Sequence, residues 1–384
     1  MLYKLSDVFD LQMGKTPSRD NNMYWKDGNL PWVSIADLSK SQIYIENSKE
    51  MITNLAAKDT LMKCIPQDTV IMSFKLSLGK TAITRTPLYT NEAIMAFVDK
   101  KVIQIEPKYI YFLFRNIQWG QYTNNAVKGK TLNKKFFSDF QINIPEYIQQ
   151  TKIASILIRI NKILEYKHSL IKAYDALIKS RFVELFGDPV LNEKGWDLTS
   201  LESVCQSIYG GGTPSKKIKE YYMGTIPWVT SKDMKSDIIV DSIEHITQVA
   251  IDNSSTKIIP PESVLIVIRS GILKHTLPVC INKSRVTINQ DLKALVLDER
   301  CKAIYLQYLL KALEKDILSG VRAVTADNIE FNSLKKRKIP IPPINIQIKF
   351  SQMVNQINKL KSDVQKSINE TQLLMDSLMQ EYFG

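Results

Sequence analysis

Histidine and cysteine are nearly missing from this chain. Three histidines (His168, His245, His275) are spread over 384 residues, too few and too scattered for a metal or acid–base cluster. The four cysteines (Cys64, Cys205, Cys280, Cys301) are equally isolated, with no Cys-x-x-Cys pair. That argues against a zinc site and for a reduced, cytoplasmic setting. No apolar run approaches the roughly 20 residues that span a bilayer. The opening MLYKLSDVFDLQMG carries acids where a signal peptide has its apolar core. No membrane role is expected.

Catalytic signatures are also lacking. Methyl transfer to an amino group needs a glycine-rich cofactor loop and an Asn/Asp-Pro-Pro-aromatic run. The nearest stretch, Ile339-Pro340-Ile341-Pro342-Pro343-Ile344, has neither the amide nor the aromatic. Gly14-Lys15-Thr16 and Gly79-Lys80-Thr81 look like pieces of a phosphate loop, but Phe9 and Phe74 stand where its first glycine belongs. Glu165-Tyr166-Lys167 has the look of a nuclease fragment, yet it lies in a helical pattern, where a solvated charge pair is the simpler reading. The chain is expected to be no enzyme and to hold no cofactor or metal.

What the chain does have is length, charge and a repeat. With 384 residues and 44% hydrophobic side chains it can build two to three domains with real cores. A net charge of +12 favours an anionic partner, but no segment is a basic tail. Two long stretches have no internal glycine and no proline: 149–187 and 347–384. In the first, Leu157, Leu164, Ile171, Ile178 and Leu185 recur every seven residues, with Ile153, Ile160 and Tyr174 between them. This is the seam of a helix that packs lengthwise on another helix. At ~1.5 Å per residue it would run roughly 57 Å. Gly187 and Pro189 stop it.

Shifted by 197 residues, the first stretch falls on the second: Glu184-Leu185-Phe186-Gly187 on Glu381-Tyr382-Phe383-Gly384, and Leu157, Ile160, Ile171 and Ile178 on Val354, Ile357, Ile368 and Met375. Polar positions are exchanged. Lys167 meets Val364 in the alignment, and Leu164 meets Lys361. Seams that differ in this way suit each other better than themselves, so the helices are expected to pair within the chain, antiparallel. The repeat extends outside them. Thr16-Pro17-Ser18 returns as Thr213-Pro214-Ser215, Leu30-Pro31-Trp32-Val33 as Ile226-Pro227-Trp228-Val229, Asn91 as Asn289, and Ile144-Pro145 as Ile341-Pro342. Internal duplication fixes the architecture: domain, helix, domain, helix.

Boundaries are placed at 1–148, 149–187, 188–345 and 346–384. Each globular half reads as mixed α and β. Strands are expected at Leu30–Ile35, Thr69–Phe74, Thr81–Thr84, Ala93–Val98 and Phe140–Ile144, with a helix at Tyr109–Gln118. The second half repeats them at Ile226–Thr230, Ser263–Ile268, Thr276–Ile281 and Lys293–Leu297, with a helix at Ile304–Leu313. The fold class is therefore α+β: two similar mixed α/β domains separated by two long antiparallel helices in a coiled coil, a pseudo-two-fold internal repeat.

These doubled marks resemble the specificity subunit of type I restriction–modification systems. They are Gly14-Lys15-Thr16-Pro17-Ser18 and Gly212-Thr213-Pro214-Ser215, the two Pro-Trp-Val segments, and the Phe-Gly steps at Phe186-Gly187 and Phe383-Gly384. One departure is the loop after the central strand, where a Gly-x-x-Gly-Lys turn is replaced by 73–80 in one half and 269–274 in the other. The resemblance implies two target-recognition domains and helical spacers. The target would be double-stranded DNA, bipartite and asymmetric, with one half-site per domain. Two methyltransferase subunits would dock on the helices, at Leu157, Leu164, Ile171, Ile178, Val354, Ile357, Ile368 and Met375. Nuclease/translocase subunits can add to these. S-adenosylmethionine, ATP and Mg would belong to those partners. The competing reading is a coiled-coil assembly scaffold that reads no bases.

DNA contacts are expected from Lys, Arg, Ser, Thr and Asn on loops at matching places in the repeat. In the first half these are Lys15, Thr16, Ser18, Arg19, Lys75, Lys80, Lys128, Lys130 and Asn133. In the second they are Thr213, Ser215, Lys216, Lys217, Arg269, Ser270, Lys274, Arg322, Thr325 and Asn328. Trp32 and Trp228 are expected in the core. Lys335-Lys336-Arg337-Lys338 is either a phosphate patch or a solvated approach to a strand.

Overall fold

The computed structural model describes residues 1–123, 132–320, 322–323 and 327–384, and only the backbone of 322, 323 and 327. The chain divides into two compact units: Met1–His168 with Lys366–Gly384, and Ser169–Gln365.

In the first unit the strands β1 (Phe9–Met13), β2 (Leu30–Val33), β3 (Val70–Ser73), β4 (Thr81–Thr84) and β5 (Ile94–Asp99) build two sheets. The larger runs β1-β5-β3-β4 and ends on Tyr44–Ile45, which pairs parallel with β4 while all other pairs are antiparallel. All residues of β3 and β4 are buried, which is why they read as continuous rather than alternating runs. A smaller sheet sets β2 between Glu50–Ile52 and Tyr89–Thr90. Helix α1 (Pro107–Asn116) begins on proline, whose missing N–H costs nothing at a first helical position. Its six residues from Tyr109 to Phe114 are all buried, as an all-apolar helix requires. Phe97 meets Phe114 at 4.6 Å and Phe137, from α2 (Lys134–Asp139), at 5.8 Å, both edge-on.

The second unit repeats this plan. Strands β6 (Cys205–Gly210), β7 (Ile226–Val229), β8 (Val264–Val267), β9 (Val279–Asn282) and β10 (Leu292–Leu297) form a sheet in the order β6-β10-β8-β9 with Ile238–Ile239 last, and β7 lies between Glu244–Ile246 and Thr287–Ile288. Helix α4 (Ala303–Ala312) stands in for α1, and α5 (Phe331–Lys336) for α2. Each of these follows the long helix α3 (Tyr147–Phe186), and α6 (Ile344–Phe383) closes the chain. Both long helices have 40 residues. Gly187 at φ +77° ends α3, a conformation in which glycine carries no Cβ penalty.

The two sheets with the same strand order, and the long helices, are the α+β repeat read from the sequence. Some details differ. The edge strands β1 and β6 lie outside the expected set, although β1 alternates apolar and polar residues, with Phe9 and Leu11 buried and Asp10 and Gln12 half-buried. The strand expected over Thr276–Ile281 starts at Val279, because Pro278 has no N–H for the ladder. Ahead of it, Glu314 Oε2 accepts from Thr276 Oγ1 (3.0 Å) and Leu277 N (2.8 Å). The register of α1 against α4 is one residue off the alignment. Tyr109 and Tyr305 are the true counterparts, their hydroxyls donating to Asn143 O (3.2 Å) and Pro340 O (2.7 Å).

In each unit the long helices lie antiparallel. In the second, Phe182 and Phe186 of α3 meet Phe350 of α6 at 5.6 and 5.3 Å, and Asp175 pairs with Lys361. In the first, Lys167 Nζ donates to Ser367 O (3.0 Å), Ser367 Oγ (2.7 Å) and Thr371 Oγ1 (2.6 Å), and Phe383 packs on Tyr109 at 5.3 Å. The exchanged polar positions thus find polar partners across the seam. This geometry corrects the expected docking residues. Leu157, Leu164, Ile178, Val354, Ile357, Ile368 and Met375 are buried within the chain, and Ile171 is half-buried. A side chain spent on the seam has no surface left for a partner. The exposed apolar side chains of the helices are others, among them Tyr166, Val183, Leu373 and Leu374.

One repeated device went unnoticed in the sequence. Gln150, in the first turns of α3, accepts from Glu106 N (2.9 Å) and donates to Gln104 O (3.1 Å) and Pro145 O (2.9 Å). Gln347 in α6 accepts from Lys302 N (2.9 Å) and donates to Arg300 O (3.0 Å) and Pro342 O (2.8 Å). Both are buried. Each clamps the start of a long helix to its globular domain, with every polar atom of the amide engaged.

Candidate nucleic-acid interface

The loops that carry the expected DNA contacts meet at one end of each five-stranded sheet. In the first unit, Lys15 N donates to Thr90 O (2.9 Å), Phe74 N to Ala93 O (2.9 Å) and Leu132 N to Phe74 O (3.0 Å). In the second, Gly212 N donates to Ile288 O (3.0 Å), Ile268 N to Asp291 O (2.8 Å) and Ile329 N to Ile268 O (2.8 Å). These are the same three bonds. They tie together the loop leaving the first edge strand, the loop after the central strand, the turn before the next strand and the approach to α2 or α5. Glycine is required where the first loop leaves. A Cβ on Gly14 would stand 2.1 Å from Thr90 O, and one on Gly211 would stand 1.9 Å from Asn289 O. Trp32 and Trp228, each 2% exposed, brace the same loop from beneath by donating Nε1 to Lys15 O (2.9 Å) and Gly212 O (3.0 Å). They are core residues, not stacking platforms.

The expected contact residues divide into those tied to the frame and those at the tips. Lys15 Nζ donates to Thr60 O (2.7 Å), a carbonyl at the end of a short helix. Thr16 and Thr213 donate their hydroxyls to Glu92 and Gln290. The Arg19 guanidinium forms two bonds with Glu50, one of 3.1 Å, and lies over the rings of Trp25 (3.9 Å) and Trp32 (4.9 Å). Lys80 donates to Ser39, and Asn133 caps α2 by accepting from Phe136 N (2.8 Å). Ser270 faces Ile272 N at 3.5 Å as the cap of the Gly271–Lys274 turn.

At the tips, Lys75 lies over the Phe74 ring at 5.3 Å, and Lys216 over Trp228 at 5.9 Å. Ser18, Ser215 and Lys217 are exposed. Lys274 is exposed and engaged by a partner. Asn328 is exposed and bridges Arg269 through the backbone. Arg269 is held by Asp291, with Nε donating to Oδ1 at 2.7 Å. Lys128, Lys130 and Thr325 lie outside the described residues, as does the side chain of Arg322. The basic run 335–338 is half neutralised, Lys335 facing Glu202 (3.8 Å) and Arg337 pairing with Asp316.

The side chains missed in the sequence are the acceptors: Glu50, Glu92, Gln290 and Asp291. For Glu92, Gln290 and Asp291 the only signal was position, and for Glu50 there was none. Asn91 and Asn289 begin the same turn in both repeats, and residues 92–93 and 290–291 follow at once. Among the described residues, no group of three or more His, Cys, Asp or Glu side chains is placed to hold a metal ion. None of the described helices is long and apolar enough to cross a membrane.

Comparison with known proteins agrees with this doubled geometry. The sequence matches the type I restriction modification DNA specificity domain twice, over residues 1–173 and 193–371. It is 25% identical over 399 residues to the type I restriction enzyme MjaIX specificity subunit of Methanocaldococcus jannaschii, covering 98% of this chain and 90% of that one. It is 36% identical over 163 residues to the EcoR124I/EcoR124II specificity subunit of Escherichia coli, covering 42% of this chain and 40% of that one. The fold is similar to that of a chain solved in work on complex assembly and conformational transition of the type I R-M system (TM-score 0.63, 18% identity, 100% of this chain and 97% of that chain). It is also similar to that of the type I restriction-modification S subunit from M. genitalium (TM-score 0.61, 12% identity, 100% and 96%). With two matched specificity domains covering most of its length, the chain belongs to the type I restriction modification DNA specificity family and is a specificity subunit.

Proposed function

We propose that this chain reads DNA for a type I complex and performs no chemistry itself. Each α/β domain takes one half-site of a bipartite, asymmetric target in double-stranded DNA. The two long helices set the gap between the half-sites and carry two methyltransferase subunits, to which nuclease/translocase subunits can add. S-adenosylmethionine, ATP and Mg act in those partners, and base flipping for methylation is theirs as well. The setting is the cytoplasm.

The observation that carries this reading is the matched sheet end. The same three backbone bonds hold the same loops in both domains, while the side chains at the tips differ. A reader of two different half-sites needs that combination: a rigid frame and variable tips. In this reading Ser18, Lys75, Lys128, Lys130, Ser215, Lys216, Lys217, Arg269, Ser270, Lys274, Arg322, Thr325 and Asn328 face the nucleic acid. Lys15, Thr16, Arg19, Lys80, Asn133 and Thr213 hold the loops or contact the backbone from within them. Docking falls to the outer faces of the helices.

The test is duplex binding by the full chain assembled with its methyltransferase partner. The complex is expected to select one bipartite duplex, with an affinity that falls steeply with salt. Changing the gap by one base pair should abolish selection, since a stiff spacer matches one separation along the duplex. Equal affinity for every sequence would leave only the scaffold role.

A further inference from the structure

The guanidinium of Arg269 is gripped along one edge only. Nε donates to Asp291 Oδ1 at 2.7 Å, and Nη2 stands 2.7 Å from the same oxygen as an ion pair. Asp291 is itself fixed. Its Oδ2 accepts from Asn289 Nδ2 (3.0 Å), its N–H donates to Asn289 Oδ1 (3.1 Å), and Asn289 is buried with its N–H on Val229 O (3.0 Å) in β7. A chain of bonds therefore runs from the core strand to the arginine. Of the five guanidinium N–H groups, the pair at the far end, one on Nη1 and one on Nη2, has no partner among the described residues. The side chain is 48% exposed.

We infer that Arg269 reads a guanine in the half-site of the second domain, and that Asp291 is its positioning residue. The inference rests on the DNA-reading function proposed above and adds the base and the device. A fixed fork of two parallel donors matches the O6 and N7 acceptors that guanine shows in the major groove, the commonest specific contact arginine makes. The alternative acceptor pair is a phosphate. The carboxylate decides between them. Arg269 and Asp291 together carry no net charge, which is poor design for an anion. It is good design for a neutral base edge, where geometry counts more than charge. Fixing the side chain beforehand also lowers the entropy lost on contact. The first domain lacks the device. Its counterpart residues are Lys75 and Ala93, and Ala93 N donates to Asn91 Oδ1 (3.1 Å) with no carboxylate to offer.

The test uses the full chain with its methyltransferase partner and duplexes in which each guanine of the mapped target is replaced singly. 7-Deazaguanine removes the N7 acceptor; inosine keeps O6 and N7. At one guanine, 7-deazaguanine should weaken wild-type binding about tenfold or more, while inosine is tolerated. In Arg269→Ala that penalty should vanish while penalties at all other positions stay. In Asp291→Asn, which keeps the shape, it should shrink. The dependence of affinity on salt should be unchanged in Arg269→Ala, because no phosphate contact is lost. A full 7-deazaguanine penalty at every guanine in Arg269→Ala would overturn the inference. So would a salt slope lower by about one with base preferences intact, which is the mark of a phosphate contact. A wild-type complex that selects its target without needing any guanine N7 defeats this inference alone. A wild-type complex that selects no sequence defeats the DNA-reading function itself.

Discussion

The two domains solve the same structural problems with different side chains, and the places where they differ sort frame from function. Near the start of each domain a cation satisfies a backbone carbonyl, but from a different place in each repeat: the bonds of the two glutamine clamps align Arg300 with Gln104, not with Lys100. In the first, Lys100 Nζ reaches Ser6 O (2.6 Å). In the second, Arg300 reaches Ser203 O, braced by Asp298 through Nε at 3.0 Å. The cores differ likewise. Phe74, Phe97, Phe114 and Phe137 fill the first, and Ile268, Leu295, Leu310 and Leu334 take the matching places in the second. Apolar character is kept while size drifts, and Ile268 is only partly buried where Phe74 is buried. At the sheet ends the drift changes what a ligand would meet: Lys75 over a phenyl ring in one domain, Arg269 fixed by a carboxylate in the other. Equivalent frame positions should therefore respond alike to mutation, and tip positions should not.

The largest expected effect lies in the clamps. Gln150→Ala and Gln347→Ala each strand one buried N–H and two carbonyls, so each should cost about 3 kcal/mol. Urea unfolding of the two variants checks this, and a clear loss in one with none in the other would break the equivalence of the frames.

The braced cation gives a smaller, pH-dependent difference. The side-chain hydrogen bond from Arg300 holds the Asp298 carboxyl below its usual value. A folded-state value below the unfolded one means stability that is present above the ordinary carboxylate range and lost as pH falls through the folded value. Asp298→Asn should therefore flatten the fall in melting temperature below about pH 4, whereas Lys100→Ala should leave its steepness as it is. Equal acid slopes for wild type and Asp298→Asn would refute the assignment.

Smallest is the ion pair of the helix seam. Lys361 and Asp175 are partly exposed, so Asp175→Ala should cost at most about 1 kcal/mol and less in high salt. Lys167, which holds three neutral acceptors in the first unit, should show little salt dependence when changed to alanine. Thermal melts in low and high salt compare the two.

Much of this was legible in the chain. A seven-residue apolar period shows a helix seam wherever it occurs, and Leu157, Ile178, Val354 and Ile368 are buried as that period requires. Two tryptophans in the same Pro-Trp-Val setting pointed to the core, where both sit. The acceptors were not legible. Glu50 lies 31 residues from Arg19, and Asp291 lies 22 from Arg269; nothing local marks either as a partner. Gln150 and Gln347 read as ordinary polar residues in a first helical turn, because a buried amide is known only by what surrounds it.

The sequence alone determined the duplication, the helix seams and the positions of the loops, since these follow from periodicity and repetition along the chain. Tertiary structure decided which apolar side chains remain for a partner and which cations are already satisfied. Both depend on groups distant in sequence and adjacent in space, and a charge acts by what stands within a few ångströms of it.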